Sequence, residues 1–139
     1  MSGGLPPVDL GSVSRFVAAS GFEVAEAGGT RVTGHVDLGP DQHTPWGVVH
    51  GGVYCAIVET AASVGASAAV RDQGQFSVGV NNNTDFVRSM TAGRVDVVAE
   101  PVQQGRTQQL WHVTLTRADD GKLVAQGKVR LQNVPLPSA

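Results

Sequence analysis

From Thr44 to Ser63 the sequence reads TPWGVVHGGVYCAIVETAAS, a polar, glycine-rich loop running into an apolar segment with one carboxylate, Glu59. If that segment is a helix opening near Gly51, its first N–H groups lack partners and sit at the positive end of the helix dipole. Glycines at 51 and 52 let a ligand come close to those N–H groups. Such a cradle suits the oxyanion that develops on a carbonyl under attack, and a carboxylate nearby could supply or activate the attacking oxygen. Glu59 lies eight residues beyond Gly51, about 12 Å along a helix axis. That is too far to act at its own helix N-terminus unless the loop folds back. A second copy, packed antiparallel through the small Ala, Ser and Cys residues, would bring each Glu59 toward the other chain's Gly51.

Each of these residues also has a plainer reading. An acid in a long helix is commonly solvated or salt-bridged, whereas a buried carboxylate must be partnered or functional. His50, before Gly51 and Gly52, reads by itself as a residue leading into the helix. Ser63 is one turn past Glu59 and either meets it or bonds its own helix. Cys55 reads as small apolar filler, with no basic residue near in sequence to activate it. His35, His43, His50 and His112 have no ligand spacing, so no metal site is expected. The run Asn81 to Asp85 is unusual for a strand; it marks either a bulge or a polar site. Arg88 and the turn Gly105-Arg106-Thr107 either hold phosphates or are ordinary surface charge. No GxSxG, phosphate-binding loop or GxGxxG pattern is present.

The elements that must position these residues follow from periodicity. A short helix is predicted from Ser12, as N-cap, through Ala19, with Gly21 ending it. Phe22 to Ala27 and Thr30 to Leu38 read as strands around a Gly28-Gly29 hairpin, with Val32, Gly34, Val36 and Leu38 on one face. Gly39 to Val49 reads as a loop. Gly52 to Arg71 switches to helical period, placing Val53, Ile57, Thr60, Ala61, Val64 and Ala68 on one face and Cys55, Ala56, Glu59, Ala62, Ser63 and Ala66 on the other. With mostly small residues opposite the apolar face, the helix is expected to be buried. Four strands follow: Ser77 to Val87, with Val78, Val80 and Phe86 in phase; Arg94 to Val102; Thr107 to Arg117; and Lys122 to Val134. One helix covers a six-stranded sheet only if the sheet curls around it. The expected class is therefore α+β, an antiparallel six-stranded sheet wrapped around one long central helix. Its uncovered edge predicts a homo-oligomer.

Composition bounds the rest. The chain has 139 residues, 41% of them apolar, enough for one domain with a core. A net charge of −2 with ten Lys and Arg argues against nucleic-acid or anionic-membrane binding. The single cysteine excludes an internal disulfide, and the N-terminal residues lack a signal-peptide pattern, so a cytoplasmic protein is expected. Residues 1–20 are read as an arm and short helix, 21–134 as the domain and 135–139 as a flexible tail.

The motifs WGVVHGGVYCAIVE, NNNTDFVR and GRTQQLW carry a family resemblance. From about Phe22 to Asn133 the chain resembles the hotdog-fold thioesterases of the PaaI-like group. It looks particularly like the branch of the Arthrobacter-type 4-hydroxybenzoyl-CoA thioesterase and mycobacterium-like members of the group. The resemblance implies a hotdog fold, dimers or dimer-of-dimers tetramers, sites at subunit interfaces, and acyl-CoA hydrolysis without a metal or other cofactor. It implies that Glu59 is the catalytic nucleophile or general base, that the Gly51 N–H polarises the thioester carbonyl, and that His50 shapes the site. Ser63 stands where a relative has a threonine that positions water. Arg88, Arg106 and Thr107 match contacts to the CoA nucleotide and phosphates, and Asn83 of the second motif falls among the substrate contacts. Thr44 stands where the family has Gln or Asn, a place that a shifted loop could fill with Gln42 or His43. The expected substrate is an aromatic or short- to medium-chain acyl-CoA. A hotdog dehydratase or hydratase and a non-catalytic acyl-CoA-binding protein are the alternatives.

Overall fold

A computed structural model describes residues 10–137. Most of the arm expected at the N-terminus (1–9) and the last two residues of the tail lie outside these. The short helix α1 runs Arg15–Ser20, and its N-cap is Ser14, whose Oγ accepts from the Val17 N–H. Ser12, the expected cap, instead ends a preceding 3₁₀ turn, Leu10–Ser12. Gly21 closes α1 in the left-handed conformation, as expected.

The alternating segments form β1 (Glu23–Gly28) and β2 (Arg31–Leu38), joined by the expected tight turn. A 20-residue helix, α2 (Gly51–Val70), follows, then β3 (Gln75–Phe86), β4 (Gly93–Gln104), β5 (Gln108–Arg117) and β6 (Leu123–Pro135). The six strands make one antiparallel sheet in the order β1-β2-β4-β5-β6-β3. Helix α2 packs against all six, which is the hotdog arrangement.

The core is made where α2 meets the concave face of the sheet. Val32, Val36, Val97, Trp111, Val113 and Leu115 are fully buried there beneath Ile57, Val58 and Ala61. Removing each large side chain from water contributes about 1.5–3 kcal/mol. Contact is close because α2 carries Gly65 where it crosses β5: a Cβ there would land in the Trp111 ring. By length and composition the segment Gly51–Gln73, with a mean hydropathy of 1.5, could cross a bilayer. Its packing against the sheet accounts for that composition.

The ridge that α2 buries is Tyr54, Ile57, Val58, Ala61, Ala62, Gly65 and Ala66. This differs from the expected face: Val53, Thr60, Val64 and Ala68 are only partly covered. The helix is apolar nearly all round, so periodicity could not choose a side; the fit to Trp111 and the strands did. The other side of α2 stands open in the single chain, and Glu59 on it is exposed, against the expectation of a helix buried on both faces.

Strand β3 holds a second correction. Its register with β6 slips between Gly79 and Asn81, leaving Val80 as an extra residue. A one-residue bulge reverses the alternation. Ser77 and Gly79 face the helix before it, and Asn82, Thr84 and Phe86 after it. Val78 and Val80 therefore do not share a face with Phe86, and both are exposed on the edge strand.

Candidate active site

The loop before α2 is held by its own polar groups. Gln42 accepts from the Gly39 N–H and donates to Ala19 O, and His43 Nε2 lies 2.6 Å from Thr91 O. Both side chains are thus engaged in holding the loop. Thr44 Oγ1 accepts from the Trp46 N–H at 3.2 Å, and Thr44 O from the Gly47 N–H. This turn presents Trp46 to solvent with 85% of its surface exposed.

His50 is the N-cap of α2. Its Nδ1 accepts the Gly52 N–H at 2.8 Å, so that nitrogen bears no proton and a neutral ring carries its proton on Nε2. The Val53 N–H goes to His50 O. The Gly51 N–H has no acceptor among the described residues. Of the first amides of the helix, it is the one left to receive a ligand. Gly51 is glycine for a packing reason as well: a Cβ would enter the Phe86 ring, which also stacks at a tilt on Tyr54. Tyr54 Oη is buried with no partner among the described residues, and burial pushes the phenol pKa up.

Two turns further along, the Glu59 carboxylate lies across Gly79 of β3, and Asn82 Nδ2 reaches Glu59 Oε1 at 3.5 Å. Asn82 is fixed in turn, donating to Cys55 O at 3.0 Å while its Oδ1 accepts from Thr84 Oγ1 at 2.6 Å. Glu59, Asn82 and Ser63 share a cavity of about 560 Å³ on the open side of α2. Ser63 Oγ donates to Thr60 O, so its hydroxyl is bonded within its own helix.

Other residues singled out by sequence stand apart. Asn83 falls on the opposite face of β3 from Glu59, in a shallow polar pocket with Asp85, His112 and Lys128, because the bulge turns Asn82 inward instead. Arg88 follows β3 at the Gly51 end of α2, where it donates to Leu123 O. Arg106 and Thr107 lie in the β4–β5 turn beside Ala69 and Val70, at the other end of the helix. A single chain thus brings together Glu59, Ser63 and Asn82, places Gly51 and His50 two turns away, and leaves Arg106 and Thr107 about 30 Å along the axis from Gly51 at the standard rise. Asn82 and Phe16, which also lines the Glu59 cavity, were not reached by sequence reasoning. The only signal for Asn82 was the Asn run itself, and nothing short of the folded chain marks Phe16. Among the described residues no three His, Cys, Asp or Glu side chains converge on a metal position.

Comparison with known proteins agrees with this architecture. The thioesterase superfamily matches residues 47–124, which include the end of the loop, α2 and Glu59. A Mycobacterium tuberculosis protein described as a candidate esterase is 45% identical over 130 residues, 92% of each chain. Its solved structure superposes with a TM-score of 0.84, covering 90% of this chain and 100% of that one. The proofreading thioesterase EntH of Cronobacter turicensis is 29% identical over 111 residues, 80% of each chain. A thioesterase structure from Haemophilus influenzae aligns at 28% identity with a TM-score of 0.83, covering 93% of this chain and 88% of that one. The open helix N-terminus and the acid beyond it thus sit within a sequence match that spans more than half the chain and a fold shared along nearly all of it: the chain belongs to the thioesterase superfamily, as a thioester hydrolase of the hotdog type.

Proposed function

We propose that the protein hydrolyses an aromatic or short- to medium-chain acyl-CoA to the free acid and CoA, working as a homo-oligomer, a dimer or a dimer of dimers. The observation that carries this reading is the division of labour at the start of α2. His50 occupies the Gly52 amide and leaves the Gly51 amide unpartnered at the positive end of a 20-residue helix. The thioester carbonyl oxygen accepts from Gly51 N–H, and the charge it gains in the tetrahedral intermediate is stabilised there. Glu59, as nucleophile or as base for water, delivers the attacking oxygen. The C–S bond then breaks and the CoA sulfur leaves, taking up the proton released from water.

Glu59 lies too far along α2 to serve its own Gly51, so in this reading the acid comes from the other subunit. The edge position of β3 supports such an assembly. It is 12 residues long, pairs only with β6, exposes Val78 and Val80, and passes directly beneath Glu59. An unpaired strand of that length is a template for a second copy. Pairing two β3 strands antiparallel would set the open faces of the two α2 helices against each other. Arg88 of one subunit and Arg106 and Thr107 of another then become contacts for the CoA phosphates.

The test is a Glu59→Gln variant assayed on benzoyl-, acetyl-, butyryl- and octanoyl-CoA. A fall in kcat of about 100-fold or more is expected from removing the nucleophile or base. Because Glu59 is exposed in the single chain, the variant should melt close to the parent. Turnover equal to the parent's removes Glu59 from the mechanism.

A further inference from the structure

Phe16 has no structural reason to be where it is. It belongs to α1, a six-residue helix otherwise built of Arg, Val, Ala and Ser, and its ring is 73% exposed. Of that helix only Val17 and Ser20 turn inward. Yet the ring stands over the open side of α2, at the smallest residues there, and it lines two cavities. The first, of about 560 Å³, holds Val17, Cys55, Ala56, Glu59 and Asn82. The second, of about 370 Å³, holds Ala19, Val53 and Ala56, with Asp41, Gln42 and His50 at its polar rim. Gly52, Ala56 and Phe16 belong to both, so the two cavities adjoin at the ring.

We infer that Phe16 sets the length of the acyl group that the enzyme accepts, by partitioning one apolar groove into a near compartment beside Glu59 and a far compartment beyond the ring. This rests on the reading that Glu59 works at the thioester carbonyl. The carbonyl carbon must then lie at Glu59, and the acyl tail bonded to it enters the cavity that Glu59 lines. Each compartment falls within the roughly 300–1,000 Å³ of small-molecule sites. A benzoyl or butyryl group is housed in the near compartment alone. A longer chain must displace the ring to reach the far one. The small side chains of α2 make the floor continuous, so the aromatic ring is the obstruction. Among the described residues helix α1 is tied to the loop by one side-chain hydrogen bond, Gln42 Nε2 to Ala19 O at 3.4 Å, and packs on the core through Val17. The truncated side chain is mostly in solvent, so its loss should not unfold the domain.

The experiment compares parent, Phe16→Ala and Phe16→Trp on acetyl-, butyryl-, benzoyl-, octanoyl- and dodecanoyl-CoA. Each methylene newly admitted to an apolar compartment is worth about fourfold in kcat/KM, from about 0.8 kcal/mol per buried CH₂. Phe16→Ala is therefore expected to raise the dodecanoyl-to-butyryl ratio by about tenfold or more, mainly through KM, and Phe16→Trp to lower it. An unchanged ratio overturns the inference, as does an equal change for every ester, acetyl included, which would assign the groove to the pantetheine arm. A parallel measurement uses the non-hydrolysable dodecyl- and butyl-CoA thioethers, bound to Glu59→Gln with and without Phe16→Ala. Tightening of dodecyl binding alone by about tenfold supports the partition; no selective tightening overturns it. If the parent hydrolyses none of the esters, the acyl-CoA hydrolase reading fails, and the thioether ratio still decides the role of Phe16.

Discussion

The two ends of α2 are built on opposite principles. At its C-terminal end every buried polar side chain has a partner among the described residues. Ser67 Oγ accepts from the Ser77 N–H, and Ser77 Oγ donates to Asn133 Oδ1 at 2.6 Å. Gln109 Nε2 donates to Ala66 O and to Asn133 Oδ1, while its Oε1 accepts from Trp111 Nε1 and Gln104 Nε2. Asn133 Nδ2 then reaches the Gly105 and Arg106 carbonyls, fixing the β4–β5 turn. At the N-terminal end, one amide is unpartnered and an acid two turns on stands in an open groove. The cavities at the two ends have nearly the same size, about 570 and 560 Å³. Volume does not tell them apart, and the C-terminal cavity carries the Arg106 and Thr107 proposed for the CoA phosphates. What distinguishes them is satisfaction: a network with all its hydrogen bonds made locks the helix to the sheet, and an amide with none is available for chemistry.

The sharpest way to break this comparison is Gln109→Ala. It strands the Trp111 indole N–H in the interior at about 1–3 kcal/mol, takes one partner each from the Ala66 and Asn133 oxygens, and leaves a cavity beside the helix. A total loss of about 3–5 kcal/mol is expected, seen as a Tm lower by about 10 °C or more. The kcat per folded molecule should survive, because no reacting group is touched, while KM rises to the extent that the turn carrying Arg106 and Thr107 loosens. Glu59→Gln should do the reverse, costing at least about 100-fold in kcat, equivalent to about 2.7 kcal/mol of transition-state stabilisation, with little change in Tm. If both variants lose stability and activity together, the two ends are not separable.

Smaller effects sharpen the contrast. His50→Ala removes the cap on the Gly52 amide and should lower stability by about 1 kcal/mol. It should also lower kcat/KM, since a second free amide competes for the ligand; calorimetry and a butyryl-CoA assay report the two effects. Tyr54→Phe deletes a buried hydroxyl that has no partner and should leave Tm unchanged or raise it by the equivalent of about 1 kcal/mol; a clear fall would mean that the hydroxyl is bonded. The smallest effect lies far from both ends. The Arg117 guanidinium holds the Asp120 carboxyl well below its usual value of 3.8, with the Lys122 N–H assisting. A depressed folded-state pKa stabilises above the unfolded value and is lost as pH falls through the folded one. Asp120→Asn should therefore melt slightly below the parent at pH 5–8, with the gap closing below about pH 4.

Much of the architecture was legible because it follows from alternation and period, which are local. The β1–β2 hairpin, the 20-residue helix and the later strands fell close to their expected bounds, since a pleat or a helical face repeats in the sequence itself. The Ser12 cap was misplaced because Ser12 and Ser14 are equally good N-caps by type. The phase of β3 was lost at Val80: the Asn run beside it read as a bulge or a polar site, but composition does not say which residue is the extra one. Of the candidate site, Gly51 and Glu59 were singled out by their spacing, and His50 and Ser63 only through the family resemblance. Asn82 and Phe16 were not: one depends on the bulge, the other on where α1 settles.

By itself the sequence determined that one long apolar helix must be wrapped by an antiparallel sheet, and that a carboxylate lies eight residues beyond a glycine at the start of that helix. Both are consequences of covalent order and side-chain type. Only the tertiary structure decided which side of α2 is buried, which Asn meets Glu59, and which amide stays free. A helix apolar on nearly every side has no preferred face until a sheet of particular curvature, with Trp111 at its centre, selects one. An amide is likewise free or bound only once the neighbouring imidazole has chosen its partner.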